Sequence, residues 1–135
     1  MQIVRWDKRF IIGVPYIDGE HERLFRVLNE VYSGFIRTGH CQAVHEQFAF
    51  FVEQVTAIFS MEEECMRAHA FPKFEEHARE HGDFLQRILT MQSGACKEST
   101  EFSRFSFILI GNWLLSHILQ SDSKYGEFTV GRIVQ

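Results

Sequence analysis

Apolar residues recur at spacings of three and four along most of the chain, the repeat of helices that each bury one face. The first run is Leu24, Phe25, Leu28, Val31, Tyr32 and Phe35, with Asp18 ahead of it as a candidate N-cap and Gly39 as its stop. Val44, Phe48, Phe51, Val52, Val55, Ile58 and Phe59 make the second. Pro72 closes the connection that follows and suits the first turn of the next helix. That helix carries Phe74, Phe84, Ile88 and Met91. After a loop at 93–99, a fourth pattern over about 101–120 is apolar on most sides, which predicts the most buried helix of the set. Gly13 and Pro15 mark residues 1–17 as an N-terminal arm, and 123–135 read as a C-terminal tail. The expectation is a single all-α domain over 1–135, an up-down-up-down four-helix bundle within 18–122.

Polar residues interrupt these apolar faces in a consistent way. On the third helix the inward row reads Phe74, His77, His81, Phe84, Ile88, so two imidazoles four residues apart point to one side. On the second the row reads Phe48, Phe51, Val55, Ile58, Glu62, which sets a carboxylate in an apolar stripe. Such a group is costly to bury unless it is paired or bound to a metal. His21 precedes Leu24 and Phe25 by three and four residues, and His117 follows Trp113 by four, beside Leu114 and Ile118. A lone inward histidine is more often a hydrogen-bonded core residue than a ligand. A ligand-type side chain on every helix, with a carboxylate among imidazoles, argues for a metal. Imidazole and carboxylate without thiolate suit iron, manganese or zinc.

Two other motifs fit less well. His77-Ala78-Arg79-Glu80-His81 matches the H-x-x-E-H zinc-protease pattern, but too little chain follows for a protease body. The paired E-x-x-H motifs of ferritin-like di-iron proteins are absent from the sequence.

Composition narrows the function classes. With 135 residues the chain makes one domain, and 14 phenylalanines imply a bulky, ring-lined core. A net charge of −4 with no basic run argues against nucleic acid. No apolar stretch reaches the roughly 18 residues of a membrane span. Cys41, Cys65 and Cys96 are odd in number and form no CxxC pair, so a reducing, cytoplasmic setting is expected. The run from Phe10 to Ile17 contains Pro15 and leads into Asp18 and Glu20, a poor signal peptide.

Several segments together resemble the bacterial hemerythrins. They are Trp6 with Gly13-Val14-Pro15-Tyr16-Ile17-Asp18-Gly19-Glu20-His21, then Phe59-Ser60-Met61-Glu62-Glu63, then Phe71-Pro72 followed by His77 to His81. Trp113-Leu114-Leu115-Ser116-His117-Ile118, with Asp122 and Tyr125, completes the match over residues 6–125. The resemblance implies a non-haem pair of iron ions joined by an oxo, hydroxo or water bridge. It implies His77, His81 and His117 on one iron, His21 on the other, and Glu62 and Asp122 bridging both. It also implies dioxygen as the ligand, bound at the iron with fewer histidines. Asp122 lies five residues after His117, out of phase for one straight helical face. The helix is therefore expected to loosen or end near Ser121.

The sequence departs from the family at one place. Where a second histidine normally stands four residues before the bridging glutamate, this chain has Ile58. His45 is about 20 Å away along the helix, and His69 and His40 fall in loops, so all three are expected at the surface. The second iron would keep His21 as its one imidazole, with water or small anions filling the remaining position. Ile58, Trp113 and Ile118 would line the ligand pocket. The expected role is a redox- or dioxygen-sensing domain joined to, or read by, a signalling output, with no catalytic residue. A dioxygen carrier, a peroxide- or nitric-oxide-consuming enzyme and a metal-free structural bundle are the alternatives.

Overall fold

The computed structural model describes residues 2–39, 44–94 and 104–134. Its described secondary structure is entirely helical. A short 3-10 turn, Lys8–Phe10, precedes α1 (Pro15–Thr38), α2 (His45–Ala68), α3 (Phe74–Gly94) and α4 (Arg104–His117). A π-helical turn, Ile118–Asp122, then leads without a break into α5 (Ser123–Val134). α1 packs on α2, α2 on α3, α3 on α4, and α4 back on α1, which closes the expected up-and-down bundle.

The inward rows read from the sequence form the core. Leu24, Phe25, Leu28 and Val31 of α1 meet Phe48, Phe51, Val55 and Ile58 of α2, with Phe84, Ile88, Phe107, Ile110 and Leu114 from the other two helices. The arm is part of this core. Val4, Phe10 and Ile12 are buried, and Trp6 and Phe10 both pack edge-on or tilted against Phe25 and each other. Asn29 pins the arm to α1. Its Oδ1 accepts from the Ile3 and Val4 amides at 2.8 and 3.0 Å, and its Nδ2 donates to the Val4 carbonyl at 2.8 Å.

Four boundaries and faces differ from the sequence reading. α1 begins at Pro15, whose fixed φ and missing N–H suit a first helical position, so the arm ends at Val14 rather than at residue 17. Asp18 is consequently not the N-cap. Its carboxylate turns back to accept from the amides of Ile12 (2.8 Å) and Gly13 (3.2 Å), tying the arm to the first turn. The fourth helix is not buried all round, because a bundle helix has only one face toward the core. Phe107, Ile110, Leu114 and Ile118 fill that face while Phe105, Ile108, Leu109 and Leu119 remain exposed. Residues 123–134 are no loose tail. They continue the helix, burying Tyr125 and setting Phe128 against Phe71 at 5.2 Å.

Gly39 ends α1 as expected, in the left-handed conformation at φ 71°, with its N–H on the Phe35 carbonyl. Of the cysteines, Cys65 is a free thiol, and Cys41 and Cys96 lie outside the described residues.

α5 meets the arm at Gly126, where a side-chain carbon would run into the Ile12 carbonyl and the Ile12 backbone has little freedom to retreat. Gly126→Ala is expected to destabilise the fold by about 1–3 kcal/mol, read from denaturant unfolding. An unchanged midpoint would mean that α5 does not hold this position against the arm.

Candidate metal centre

Each of α1 to α4 brings one or two donor side chains into the bundle interior, and the π turn brings one more. His21 comes from α1, Glu62 from α2, His77 and His81 from α3, His117 from α4 and Asp122 from the π turn. All six are 5% exposed or less, which for charged and imidazole groups demands a reason. Donor atoms of Glu62, His77, His81, His117 and Asp122 lie within 4.8 Å of one another.

The π turn explains how Asp122 joins them. The Ser123 N–H reaches back to the Ile118 carbonyl, an i to i+5 bond, which inserts one residue into the turn. This widening brings a side chain five residues after His117 onto the same face. The helix loosens there, as the sequence suggests, but does not end.

The two carboxylates split their oxygens between two sides of the site. Glu62 Oε1 lies 2.6 Å from His21 Nε2, while Oε2 lies 3.2 Å from His81 Nε2 and 4.0 Å from His77 Nε2. Asp122 Oδ2 lies 3.4 Å from His21 Nε2, while Oδ1 lies 2.8 Å from His77 Nε2 and 3.2 Å from His117 Nε2. One side therefore presents three imidazoles and the other presents His21.

These groups do not satisfy one another. His21 Nδ1, Glu62 Oε2, His77 Nε2 and both Asp122 oxygens are buried without a hydrogen-bond partner. His77 Nε2 and Asp122 Oδ1 are close but not aligned for a hydrogen bond. His81 and His117 each have Nδ1 3.0 Å from a carboxylate, of Glu63 and Glu80 respectively. With those Nδ1 protons donated outward, the two Nε2 atoms face each other at 3.1 Å as lone pairs. Unpaired acceptors converging in a dry core fit cations, the condition that buried carboxylates and neutral imidazoles require.

The charges show the same strain. Burial disfavours a charged His21 ring, but the hydrogen bond and charge of Glu62, with Asp122 beyond, push it up to about 9. His117 is likewise raised against burial by Asp122. Burial and the neighbouring Asp122 would raise Glu62, yet the hydrogen bond with His21 and the closeness of His81 hold it below its ordinary value. Asp122 is opposed by burial too, and His117, His77 and His21 hold it far below the carboxylate range. Tyr125 is pushed up to about 12 by burial and by nearby Cys65 and Glu62.

Aromatic rings fix the imidazoles. Phe59 lies flat on His81 at 3.8 Å, and Trp113 lies flat on His117 at 4.6 Å and on Phe84 at 4.0 Å. Ile58 and Ile118 are buried, and Trp113 spends one face on His117. A surface cleft lined by Phe71, Lys73, Glu76, His77, Glu80, Ser121 and Lys124 reaches the three-histidine side. Of the other histidines, His45 is exposed at the start of α2, His69 is exposed with Nδ1 2.7 Å from the Tyr125 hydroxyl, and His40 lies outside the described residues.

Glu63, Glu80, Ser121 and Phe59, though each lies in a segment that the sequence marks, were not expected to contact the ligand histidines or their partners. A signal for the first two exists: a ligating histidine needs an acceptor for its second ring nitrogen. Glu80, inside the protease-like pentapeptide, supplies it to His117.

These features define a helical bundle built around a buried histidine–carboxylate cation site. The hemerythrin HHE cation binding domain matches residues 12–128, and the chain belongs to the hemerythrin family. It is 27% identical over 131 residues to a bacteriohemerythrin of Stenotrophomonas maltophilia, covering 94% of this chain and 82% of the relative. It is 23% identical over 121 residues to a myohemerythrin of Theromyzon tessulatum, covering 90% and 89%. A crystal structure of a hemerythrin mutant superposes with a TM-score of 0.86 at 21% identity, over 94% of this chain and 97% of that one. No helix among the described residues is long and apolar enough to cross a membrane.

The shifts set a pH dependence for the metal-free protein. His21 binds its proton more tightly folded than unfolded, so its contribution is full below 6.5 and is lost as pH rises through about 9. Glu62 is depressed, so its contribution is present above 4.5 and lost as pH falls. The metal-free melting temperature is expected to peak between these limits and to decline toward alkaline pH. A metal-free protein that melts higher at alkaline than at weakly acidic pH would contradict the assigned ion pairs.

Proposed function

We propose that this domain holds two iron ions, bridged by Glu62, Asp122 and an oxo, hydroxo or water ligand. His77, His81 and His117 take one iron and His21 the other. Such a pair, when bound, supplies electrons to dioxygen and takes small anions when oxidised. The division of each carboxylate between the two sides supports the dinuclear reading, because a single ion would leave oxygens on the other side unused.

One observation carries the functional reading further. Ile58 is buried one helical turn before Glu62 and offers no donor atom, so the His21 side is poor in nitrogen. Water, hydroxide or an anion would complete the coordination of an ion held there. Anionic oxygen donors favour ferric over ferrous iron, and an exchangeable position admits small ligands. Both properties suit a cytoplasmic redox or dioxygen sensor better than a store, with a signalling output attached to the domain or separate from it. The carrier reading draws on a different observation: Phe59, Phe84 and Trp113 screen the imidazoles from water, which slows loss of electrons.

Ile58→His tests the choice. Stopped-flow mixing of the reduced proteins with dioxygen is expected to show rapid oxidation of the unaltered protein. The variant, if it holds two irons, should oxidise more slowly by on the order of tenfold, equivalent to about 1.4 kcal/mol in the barrier. Equal rates at equal iron loading would remove Ile58 from the account and favour the carrier.

The ligand assignment has its own test. His77→Ala or His117→Ala is expected to lose more iron on dialysis than His21→Ala, since three imidazoles hold the first ion and one the second. The reverse order would mean that the two sides are misassigned.

A further inference from the structure

The hydrogen bonds around the imidazoles are as lopsided as the imidazoles themselves. On the three-histidine side, His81 Nδ1 meets Glu63 Oε2 at 3.0 Å and His117 Nδ1 meets Glu80 Oε2 at 3.0 Å. Glu80 is itself held, accepting from the Ser121 hydroxyl at 2.6 Å. On the other side, His21 Nδ1 is buried and has no partner. Both outer carboxylates are only partly exposed, with side-chain exposures of 22% for Glu63 and 39% for Glu80. Phe59 and Trp113 cover the faces of the two rings, so water competes poorly for the bonds.

An imidazole that donates its N–H to a carboxylate carries more negative charge on the opposite nitrogen. It is then a stronger donor to a cation, and the gain is larger for a trivalent ion than for a divalent one. Bonds to a charged acceptor are also about twice as strong as neutral ones, so the polarisation is substantial. We propose that Glu63 and Glu80 are positioning residues that act through His81 and His117 to favour the ferric form of an iron held on the three-histidine side. The inference rests on the two-iron reading above. The step is a one-electron oxidation, ferrous to ferric, with dioxygen or a chemical oxidant as the acceptor, and no covalent bond of the protein changes. Ser121, one residue before the bridging Asp122, couples the outer carboxylate to the same π turn that places the inner one.

The test compares Glu63→Gln, Glu80→Gln and the control Glu76→Gln by redox titration of the iron-loaded proteins. Glu76 lines the same cleft, is exposed, and makes no hydrogen bond to an imidazole among the described residues. Glu63→Gln and Glu80→Gln are expected to shift the ferrous-to-ferric ratio at fixed potential roughly tenfold toward ferrous, about 59 mV for one electron. Glu76→Gln removes the same charge and is expected to shift it far less. Equal shifts in Glu76→Gln and Glu80→Gln, or no shift in Glu63→Gln and Glu80→Gln at full iron content, would overturn the inference. Should the variants lose iron, Glu63→Asp and Glu80→Asp, which keep a carboxylate beside the imidazole, decide. They are expected to keep the ferrous-to-ferric ratio closer to that of the unaltered protein than the glutamine variants do, and a full tenfold shift at full iron content in these charge-retaining variants would overturn the inference. One iron per chain in the unaltered protein would instead sink the two-iron reading itself.

Discussion

Glu62 and Asp122 are carboxylates shut away from water in a core of phenylalanine, valine and isoleucine, with four imidazoles around them. An unneutralised carboxylate in such a place costs several kcal/mol, of order the net stability of a small domain. The His21 proton and its hydrogen bond to Glu62 supply part of the compensation in the metal-free protein. They cannot supply all of it, because five buried donor or acceptor atoms of the site still lack partners. Cations between the carboxylates and the imidazoles would use those atoms together.

The rest of the fold is arranged around that need. α1 to α4 and the π turn all contribute donors, so the bundle and the site depend on the same packing. The π turn weakens the regularity of the last helix in order to aim Asp122 inward. α5 then continues it, with Tyr125 buried and bonded to His69 at the end of α2, and Gly126 against the arm. The arm, in turn, is fastened by Asn29 and Asp18. A distortion at the site is thereby held from both chain ends of the fold.

Much of this was legible in the sequence because period and polarity conflict there. His77 and His81 at i, i+4, and Glu62 on the stripe of Val55 and Ile58, mark an apolar face broken by ligand-type residues, and the bundle buries them all. Asp122 was legible only through the family resemblance, since spacing alone assumes 3.6 residues per turn and a π insertion violates it. Glu63 and Glu80 were hidden for a different reason. They lie beside inward residues, in phases that look solvent-facing, and meet their imidazoles only across helices. Pro15 and Asp18 were misread because a first-turn carboxylate has the same sequence signature whether it caps its own helix or the preceding arm. The exposed apolar residues of α4 misled in the opposite sense: composition reports how apolar a helix is, not how many neighbours it has.

Iron stoichiometry with Mössbauer spectroscopy, after anaerobic reconstitution with ferrous iron and oxidation in air, tests the central claim most directly. Two irons per chain, with the two ferric ions magnetically coupled through a shared bridge, are the result that the shared carboxylates require. A single tightly held iron, or two irons without magnetic coupling, would contradict the assignment of Glu62 and Asp122 as bridges.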